Sequence, residues 1–228
     1  MHYPNTIPGK FITRPNRFIA HVDIDGKPVI AHVKNTGRCK ELLVPGARVI
    51  LQKSDNPERK TAYDLISVYK NDRLINMDSQ APNKVFEEYL RTGKYIKGIT
   101  LVKPETKYGN SRFDFYVETS EQKIFIEVKG VTLEENGVAM FPDAPTERGV
   151  KHLHELAQCV QDGYEAHVVF VIQMKNVSYF APNNKTHPAF GEVLIAAEKT
   201  GVKVAAYDCE VTKTRLTIGD PIRVKLNE

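Results

Sequence analysis

The pattern of apolar residues changes at Ala81–Pro82, and this change constrains the fold more than any other feature of the sequence. Before it, short apolar segments are separated by turn residues, a pattern that is typical of β-strands. Five segments are predicted as strands: residues 18–25, 29–34, 47–52, 61–70 and 74–78. Five short strands within about 70 residues predict a small barrel or sandwich.

After Ala81–Pro82, segments with helical spacing alternate with strand-like runs. The predicted helices begin after the N-caps Asn83 and Thr146 and at about residue 189. The predicted strands are residues 100–103, 112–118, 123–131, 166–173, 203–207 and 216–224. This order predicts a mixed sheet with helices on its faces. We therefore predict two domains, an all-β domain over residues 1–80 and an α/β domain over residues 81–228.

The basic residues are concentrated in the first domain. Residues 1–80 carry 13 Lys and Arg against 8 Asp and Glu, a net charge of +5, whereas residues 81–228 carry 19 against 20, a net charge of −1. A basic domain favours a polyanionic partner, because Lys and Arg that displace counterions from phosphates supply sequence-independent affinity. Composition by itself slightly favours the alternative, in which the charge serves only solubility.

The sequence contains no apolar run that predicts a membrane helix or a signal peptide. The longest strongly apolar run, Val168–Ile172, is far shorter than the about 20 residues that a membrane helix needs. We therefore expect a cytoplasmic protein with no membrane partner. The three cysteines, Cys39, Cys159 and Cys209, are too widely separated to predict a zinc site or a disulfide framework.

Two neighbouring predicted strands carry residues that indicate a chemistry, Asp114 on one and Glu127 and Lys129 on the next. If these strands pair, the two carboxylates meet at one edge of the sheet, where they can hold a hard divalent cation beside a lysine. Phosphodiester cleavage needs this combination, because the cation neutralises the scissile phosphate and the ammonium group stabilises developing charge. The spacing alone is a weak signal, since any hairpin with solvated charges at its strand ends produces it.

Five sequence segments, in order along the chain, are much more specific. They are NTGRCKELLVPGARV at 35–49, APNKVFEE at 81–88, YGNSRFDF at 108–115, IEVKGVTL at 126–133 and FPDAPTERGVKHLHEL at 141–156. In these segments the chain resembles the sugar fermentation stimulation protein A family of bacteria and archaea. The resemblance extends from about residue 15 to about residue 210.

The resemblance implies a fold and a function. The fold is an oligonucleotide-binding (OB) barrel followed by a mixed sheet flanked by helices, of the PD-(D/E)XK nuclease type. The function is metal-dependent hydrolysis of phosphodiester bonds in DNA, or in RNA, with Mg²⁺ or Mn²⁺ held by Asp114 and Glu127 and with Lys129 as the catalytic lysine. The proline that usually precedes the aspartate is replaced by Phe113.

A glutamate of the preceding helix is the predicted third metal ligand. We select Glu87, because it follows the predicted helix start at Asn83 by four residues, and Glu88 remains the alternative. For either glutamate taken alone, a solvent-exposed helix face is the better interpretation.

Basic residues in both domains are predicted to contact nucleic acid. In the barrel these residues are Arg14, Arg17, Arg38 and Lys40. On the second helix, Arg148, Lys151 and His152 are predicted to lie on the polar side, opposite Val150 and Leu153, where they can bind the substrate phosphate. A merely solvated helix face is the alternative.

A second function class remains open, a non-catalytic DNA-binding regulator of sugar-metabolism genes built on a nuclease scaffold. Such scaffolds generally lose an acidic residue or the lysine, whereas Asp114, Glu127 and Lys129 are all present here. The sequence therefore favours an enzyme. It does not decide whether the substrate is DNA or RNA, or how the substrate is cleaved. A homodimer is compatible with the sequence, but no sequence feature indicates one.

Overall fold

The structure is a computed structural model that describes residues 1–35, 37 and 39–227. Its first part is a β-barrel. The strands are β1 (Thr6–Asn16), β2 (Ile19–Ile24), β3 (Lys27–Val33), β4 (Arg48–Lys53), β5 (Tyr63–Lys70) and β6 (Arg73–Asn76). They follow the order β3-β2-β1-β4-β5-β6, and a parallel pairing of β3 with β5 closes the barrel.

Strand β1 is absent from the sequence prediction, whereas the five predicted strands correspond to β2–β6. Two prolines and Gly9 made this segment resemble a loop. The strand tolerates them because it changes partner along its length, pairing first with β4 and then, through two register shifts, with β2. Gly9 allows the close approach that this change requires, since a Cβ there would lie 2.6 Å from the side chain of Val22.

The second part is a six-stranded mixed sheet with three helices, as predicted. Its elements are α1 (Ala81–Arg91), β7 (Ile99–Tyr108), β8 (Ser111–Thr119), β9 (Lys123–Val131), β10 (Leu133–Glu135), β11 (Val138–Phe141), α2 (Glu147–Gln161), β12 (Glu165–Ile172), β13 (Tyr179–Pro182), α3 (Pro188–Lys199), β14 (Lys203–Val211) and β15 (Leu216–Pro221). The sheet order is β15-β14-β12-β9-β8-β7, in which β9, β12 and β14 are parallel neighbours. A small separate sheet, β10-β11-β13, was not predicted.

The ends of the helices agree only partly with the sequence prediction. Thr146 is the N-cap of α2 as predicted, and its hydroxyl accepts the backbone N–H of Gly149. The prediction for α1 is wrong, because this helix starts at Ala81 after the N-cap Gln80. A proline in the first turn is well tolerated, since its missing N–H has no partner there. Asn83 consequently lies inside the first turn of α1, and its side chain serves another purpose.

Direct contacts join the barrel to the second domain. Asn76 at the end of β6 and Gln173 after β12 exchange two hydrogen bonds, with the Asn76 N–H donating to the Gln173 carbonyl at 2.9 Å and the Gln173 amide donating to Oδ1 of Asn76 at 2.8 Å. At the N-terminus, the N–H of Tyr3 donates to the carbonyl of Thr214 at 2.8 Å, and the Tyr3 ring is buried with the core around α1. Residues 1–3 therefore pack on the second domain, although they precede the barrel.

The three cysteines are buried and free, in agreement with the prediction of no disulfide framework. Among the residues that the structure describes, no helix combines the length and the apolar character needed to cross a membrane.

Candidate active site

The backbone pairing of β8 and β9 ends close to the predicted metal ligands. The last registered pair is Phe115 with Ile126, and one residue further along each strand lie Asp114 and Glu127. Beyond this pair, the backbone N–H of Val128 donates to a side chain of β8, with Oδ2 of Asp114 as its acceptor at 2.7 Å. The end of the strand pairing thus brings the two carboxylates to one edge of the sheet.

The alternation of side chains along β8 also changes at this edge. The sequence predicts that Phe113, Phe115 and Val117 share one face, but only Phe115 and Val117 belong to the core on the α1 side. Phe113 belongs to the core on the α2 side, and its ring lies 5.6 Å from that of Phe125. The predicted alternation therefore holds only where β8 is paired with β9.

Asp114 is bound by neutral donors and influenced by a like charge. In addition to the Val128 N–H, its Oδ1 accepts the side-chain amide of Asn83 at 2.6 Å. Burial and the nearby charge of Glu127 raise the pKa of Asp114 to about 6, despite the opposing effect of these hydrogen bonds and of Lys129. In the metal-free protein, ionisation of Asp114 is thus less favourable than that of a free aspartate.

Glu127 is 4% exposed, and its two carboxylate oxygens have different surroundings. Oε1 contacts Nζ of Lys129 at 2.6 Å and Nδ1 of His152 at 2.5 Å, whereas the buried Oε2 has no hydrogen-bond partner. Burial tends to raise the pKa of Glu127, but the hydrogen bond from His152 and the charge of Lys129 outweigh it and lower the pKa below its usual value. Glu127 is therefore held as a carboxylate with one oxygen unsatisfied.

This donor set fits a hard divalent cation. The site has two adjacent carboxylates, one of them with an unpartnered buried oxygen, and Mg²⁺ is commonly bound through one or two carboxylates together with water and substrate phosphate. In the described part of the chain, no three His, Cys, Asp or Glu side chains are grouped to hold a metal ion by themselves. Asp114 and Glu127 would consequently be the two protein ligands.

The predicted third ligand is not brought to this pair. The Glu87 carboxylate accepts two hydrogen bonds from the guanidinium of Arg91, one turn later on α1. Glu88, the alternative, contacts the terminal amine of Met1. The selection of Glu87 depended on Asn83 as the N-cap. The N-cap is Gln80, three residues earlier, so Asn83 lies in the first turn and itself reaches Asp114.

The predicted position of His152 is wrong. The buried side of α2 is centred on Leu153 and Leu156, and this rotation turns His152 inward, so that it is 4% exposed and contacts Glu127. Arg148 and Lys151, which are predicted on the same polar side, are exposed as predicted. Arg148 donates from Nε to Nε2 of His152 at 3.4 Å, and Lys151 donates to the carbonyl of Asn110 at 3.1 Å.

Three of the four cations predicted in the barrel line one groove. Arg17 and Lys40 are exposed and line this groove, and Arg14 lines it as well. The guanidinium of Arg14 donates to the carbonyls of Arg17, Asn35 and Gly37, so it holds the walls of the groove together. Arg38 lies outside the described residues, and its predicted contact with nucleic acid stays a prediction.

Sequence reasoning missed two residues of the site. The sequence predicts Asn83 as a helix cap and His152 on the polar side of its helix, whereas both contact the acidic pair. The only available signal for His152 was its spacing on α2, since Gly149, His152 and Leu156 follow one another at intervals of three and four residues.

Comparison with known proteins assigns the chain to a family. The family model described as the sugar fermentation stimulation protein RE domain matches residues 80–215, and the model described as the SfsA N-terminal OB domain matches residues 12–77. The chain belongs to the SfsA family. The resemblance predicted from the sequence is thereby confirmed, as is the fold of an OB barrel followed by a restriction-endonuclease-like domain.

SfsA-family relatives match over essentially the whole chain. The sugar fermentation stimulation protein homolog of Desulfitobacterium hafniense (strain DSM 10664 / DCB-2) is 63% identical over 228 residues, with 100% of both chains covered. The homolog of Clostridium beijerinckii (strain ATCC 51743 / NCIMB 8052) is 60% identical over 226 residues and covers 99% of this chain and 100% of its own. The structure of Pyrococcus furiosus SfsA in complex with Ca²⁺ is similar with a TM-score of 0.89 at 30% identity, covering 99% of this chain and 98% of that one.

Proposed function

We propose that this SfsA-family protein is a divalent-cation-dependent nuclease that hydrolyses phosphodiester bonds in DNA or RNA. The observation that carries the proposal is the grouping of Asp114, Glu127 and Lys129 at one sheet edge, with Oε2 of Glu127 buried and unpartnered. The restriction-endonuclease-like domain supports the same reaction class. The Ca²⁺ in the complex of P. furiosus SfsA supports a divalent cation, because Ca²⁺ and Mg²⁺ both prefer oxygen ligands.

The two carboxylates would hold the cation, Mg²⁺ or Mn²⁺. When bound, this cation neutralises charge on the scissile phosphate and lowers the pKa of a bound water. Asp114 gains most from the added positive charge, because burial and the charge of Glu127 raise its pKa to about 6 in the metal-free protein. Cation binding would therefore offset the cost of holding two carboxylate charges at one edge.

Lys129 lies beside the metal ligands without occupying the free oxygen. Its side chain is 15% exposed, and Nζ contacts Oε1 of Glu127, which leaves Oε2 for the cation. An ammonium group held at this edge can orient a water molecule and stabilise the negative charge that develops on the phosphate. Lys129 is therefore the catalytic residue of the proposal, and Glu127 fixes its position.

The barrel groove adjoins a second cleft, and together they outline a path toward this edge. The barrel groove, of about 530 Å³, carries Arg17 and Lys40, and a cleft of about 320 Å³ lies between the two domains. Gly37 and Ala144 line both spaces, and the cleft extends to Gly130, the residue after the lysine. We propose that a nucleic-acid strand follows this path, with its phosphates near the exposed cations of the barrel.

The test compares cleavage of end-labelled single-stranded DNA, duplex DNA and RNA in Mg²⁺, Mn²⁺ or EDTA. The variant Lys129→Met should lose cleavage by at least about 100-fold, which is typical for the loss of a catalytic group. The control Lys203→Met removes another lysine that is paired with a glutamate, Glu165, on the same sheet. Cleavage by wild type that persists in EDTA, or equal cleavage by Lys129→Met, would contradict the proposal. Binding without cleavage of any substrate would favour a non-catalytic regulator.

A further inference from the structure

His152 connects the surface of α2 to the buried glutamate of the site. It is 4% exposed, and its Nδ1 lies 2.5 Å from Oε1 of Glu127. On its other side, Nε2 lies 3.4 Å from Nε of Arg148, one helical turn earlier. The ring is also packed edge-to-face against Phe113, with ring centroids 6.0 Å apart. The orientation of the imidazole is thus fixed on three sides.

These contacts determine which imidazole nitrogen carries the proton. The guanidinium Nε of arginine is always a donor, so Nε2 of His152 accepts the hydrogen bond from Arg148. The ring proton then lies on Nδ1 and is donated to Oε1 of Glu127. Arg148 therefore orients a donor, although it does not contact Glu127 itself.

The hydrogen bond from His152 also decides which carboxylate oxygen faces the cation site. Oε1 of Glu127 is occupied by His152 and Lys129 together, and Oε2 is buried without a partner. Because a carboxylate is planar, a fixed Oε1 also fixes Oε2. A glutamate with free rotation would instead satisfy its oxygens in turn with Lys129 and would offer no constant ligand.

We propose that His152 is a positioning residue, set by Arg148, that holds Glu127 with Oε2 directed to the divalent cation. This inference rests on the proposed function, since it concerns the same cation. It assigns His152 to the support of the metal ligand and removes it from the residues that contact nucleic acid. Groups that orient metal ligands typically change cation affinity about 10- to 100-fold when they are removed.

The experiment measures Ca²⁺ binding by calorimetry, without any cleavage step. The variant His152→Leu keeps the size of the side chain and removes the donor, whereas His152→Asn places an amide nitrogen where Nδ1 lies. The control is His154→Asn, an exposed histidine two residues along the same helix. We expect Ca²⁺ affinity to fall about 10- to 100-fold in His152→Leu, to recover largely in His152→Asn, to fall less in Arg148→Met, and to stay unchanged in the control.

The outcomes separate this inference from the proposed function. Wild type that binds no Ca²⁺ or Mg²⁺ overturns the metal site and this inference together. Wild type that binds Ca²⁺ while folded His152→Leu binds equally well overturns only the positioning role, as does an equal loss in the Leu and Asn variants. If His152→Leu does not fold, His152→Gln replaces it, because its amide lies one atom further along the side chain and misses Oε1. Wild-type affinity in Arg148→Met overturns the role of Arg148.

Discussion

Asn83, in the first turn of α1, donates its side-chain amide to Oδ1 of Asp114 at 2.6 Å. The helix thus contributes a neutral donor to the acidic edge. Glu87, the predicted third metal ligand from the same helix, is bound by Arg91 instead. A neutral donor favours the ionised form of Asp114 without adding negative charge next to Glu127.

The variant Asn83→Asp would place a third carboxylate at this edge. We expect the metal-free protein to lose about 1 to 2 kcal/mol of unfolding free energy at neutral pH, because like charges meet in a partly buried site. Ca²⁺ should restore more stability to this variant than to wild type, as measured by urea denaturation with and without the cation. The control Glu87→Gln should change the Ca²⁺ effect by less than about 0.5 kcal/mol. A larger Ca²⁺ effect in Glu87→Gln would instead return that glutamate to the metal site.

The raised pKa of Asp114 predicts how the stability of the metal-free protein depends on pH. The folded-state pKa is about 6, against about 3.9 in an unfolded chain, so the folded protein binds this proton more tightly. The contribution of Asp114 to stability is then greatest below about pH 4 and is lost as the pH rises through about 6. Relative to wild type, Asp114→Asn should therefore become more stable with increasing pH, by on the order of 2 kcal/mol at about pH 8.

Urea denaturation in EDTA, at several pH values between these limits, tests this prediction. Comparison of the two proteins isolates Asp114, because the other titrating groups are common to both. The same variant should also lose the stabilisation by Ca²⁺. A difference that stays constant with pH would show that the pKa of Asp114 is not raised.

The contact between the barrel and β10 predicts the opposite pH dependence. Glu134 is buried and binds Lys70 at 2.8 Å and Arg73 at 2.9 Å. Burial tends to raise its pKa, but these cations and the N–H of Gly137 outweigh burial and lower the pKa to about 2. The contribution of ionised Glu134 to the stability of the folded protein is therefore complete above about pH 4.3, the usual pKa of an unfolded glutamate. It is lost as the pH falls toward 2.

The variant Glu134→Gln should lose about 2 to 3 kcal/mol of unfolding free energy at neutral pH, because two cations remain without their partner. At about pH 3 the difference from wild type should be much smaller. Urea denaturation at both pH values measures this. Equal destabilisation at the two pH values would mean that the ion pairs contribute little and that packing explains the loss.

The exposed cations of the barrel groove predict the salt dependence of binding. Replacing Arg17 and Lys40 together by Gln should weaken binding of a single-stranded oligonucleotide and reduce the slope of log K against log salt concentration by about 1.4, because two phosphate contacts are lost. Fluorescence anisotropy at several salt concentrations measures both quantities. The control Lys27→Gln removes an exposed charge from the turn end of β3, outside the groove lining. If Lys27→Gln weakened oligonucleotide binding as much as the groove variant, the binding would depend on the net charge of the protein and not on the groove.

Much of the fold and part of the site were determined by local sequence. The periodic apolar residues of α2, the cap Thr146 and the strands that carry Asp114 and Glu127 were predicted from short windows, because helix capping and side-chain alternation are local properties. The change of pattern at Ala81–Pro82 also separated the barrel strands from the mixed sheet.

Tertiary structure decided the features that depend on residues far apart in the sequence, which short sequence windows do not contain. Strand β1 forms in spite of its prolines, because it pairs both with β2, which follows it directly, and with β4, which is distant in the sequence. Asn83 and His152 reach Asp114 and Glu127 because the packing of α1 and α2 on the sheet sets the rotation of each helix. That rotation depends on which side chains fill the core between helix and sheet, and these come from segments far apart in sequence. The sequence by itself therefore determined the acidic edge and its lysine, and only packing decided which neighbouring side chains hold them.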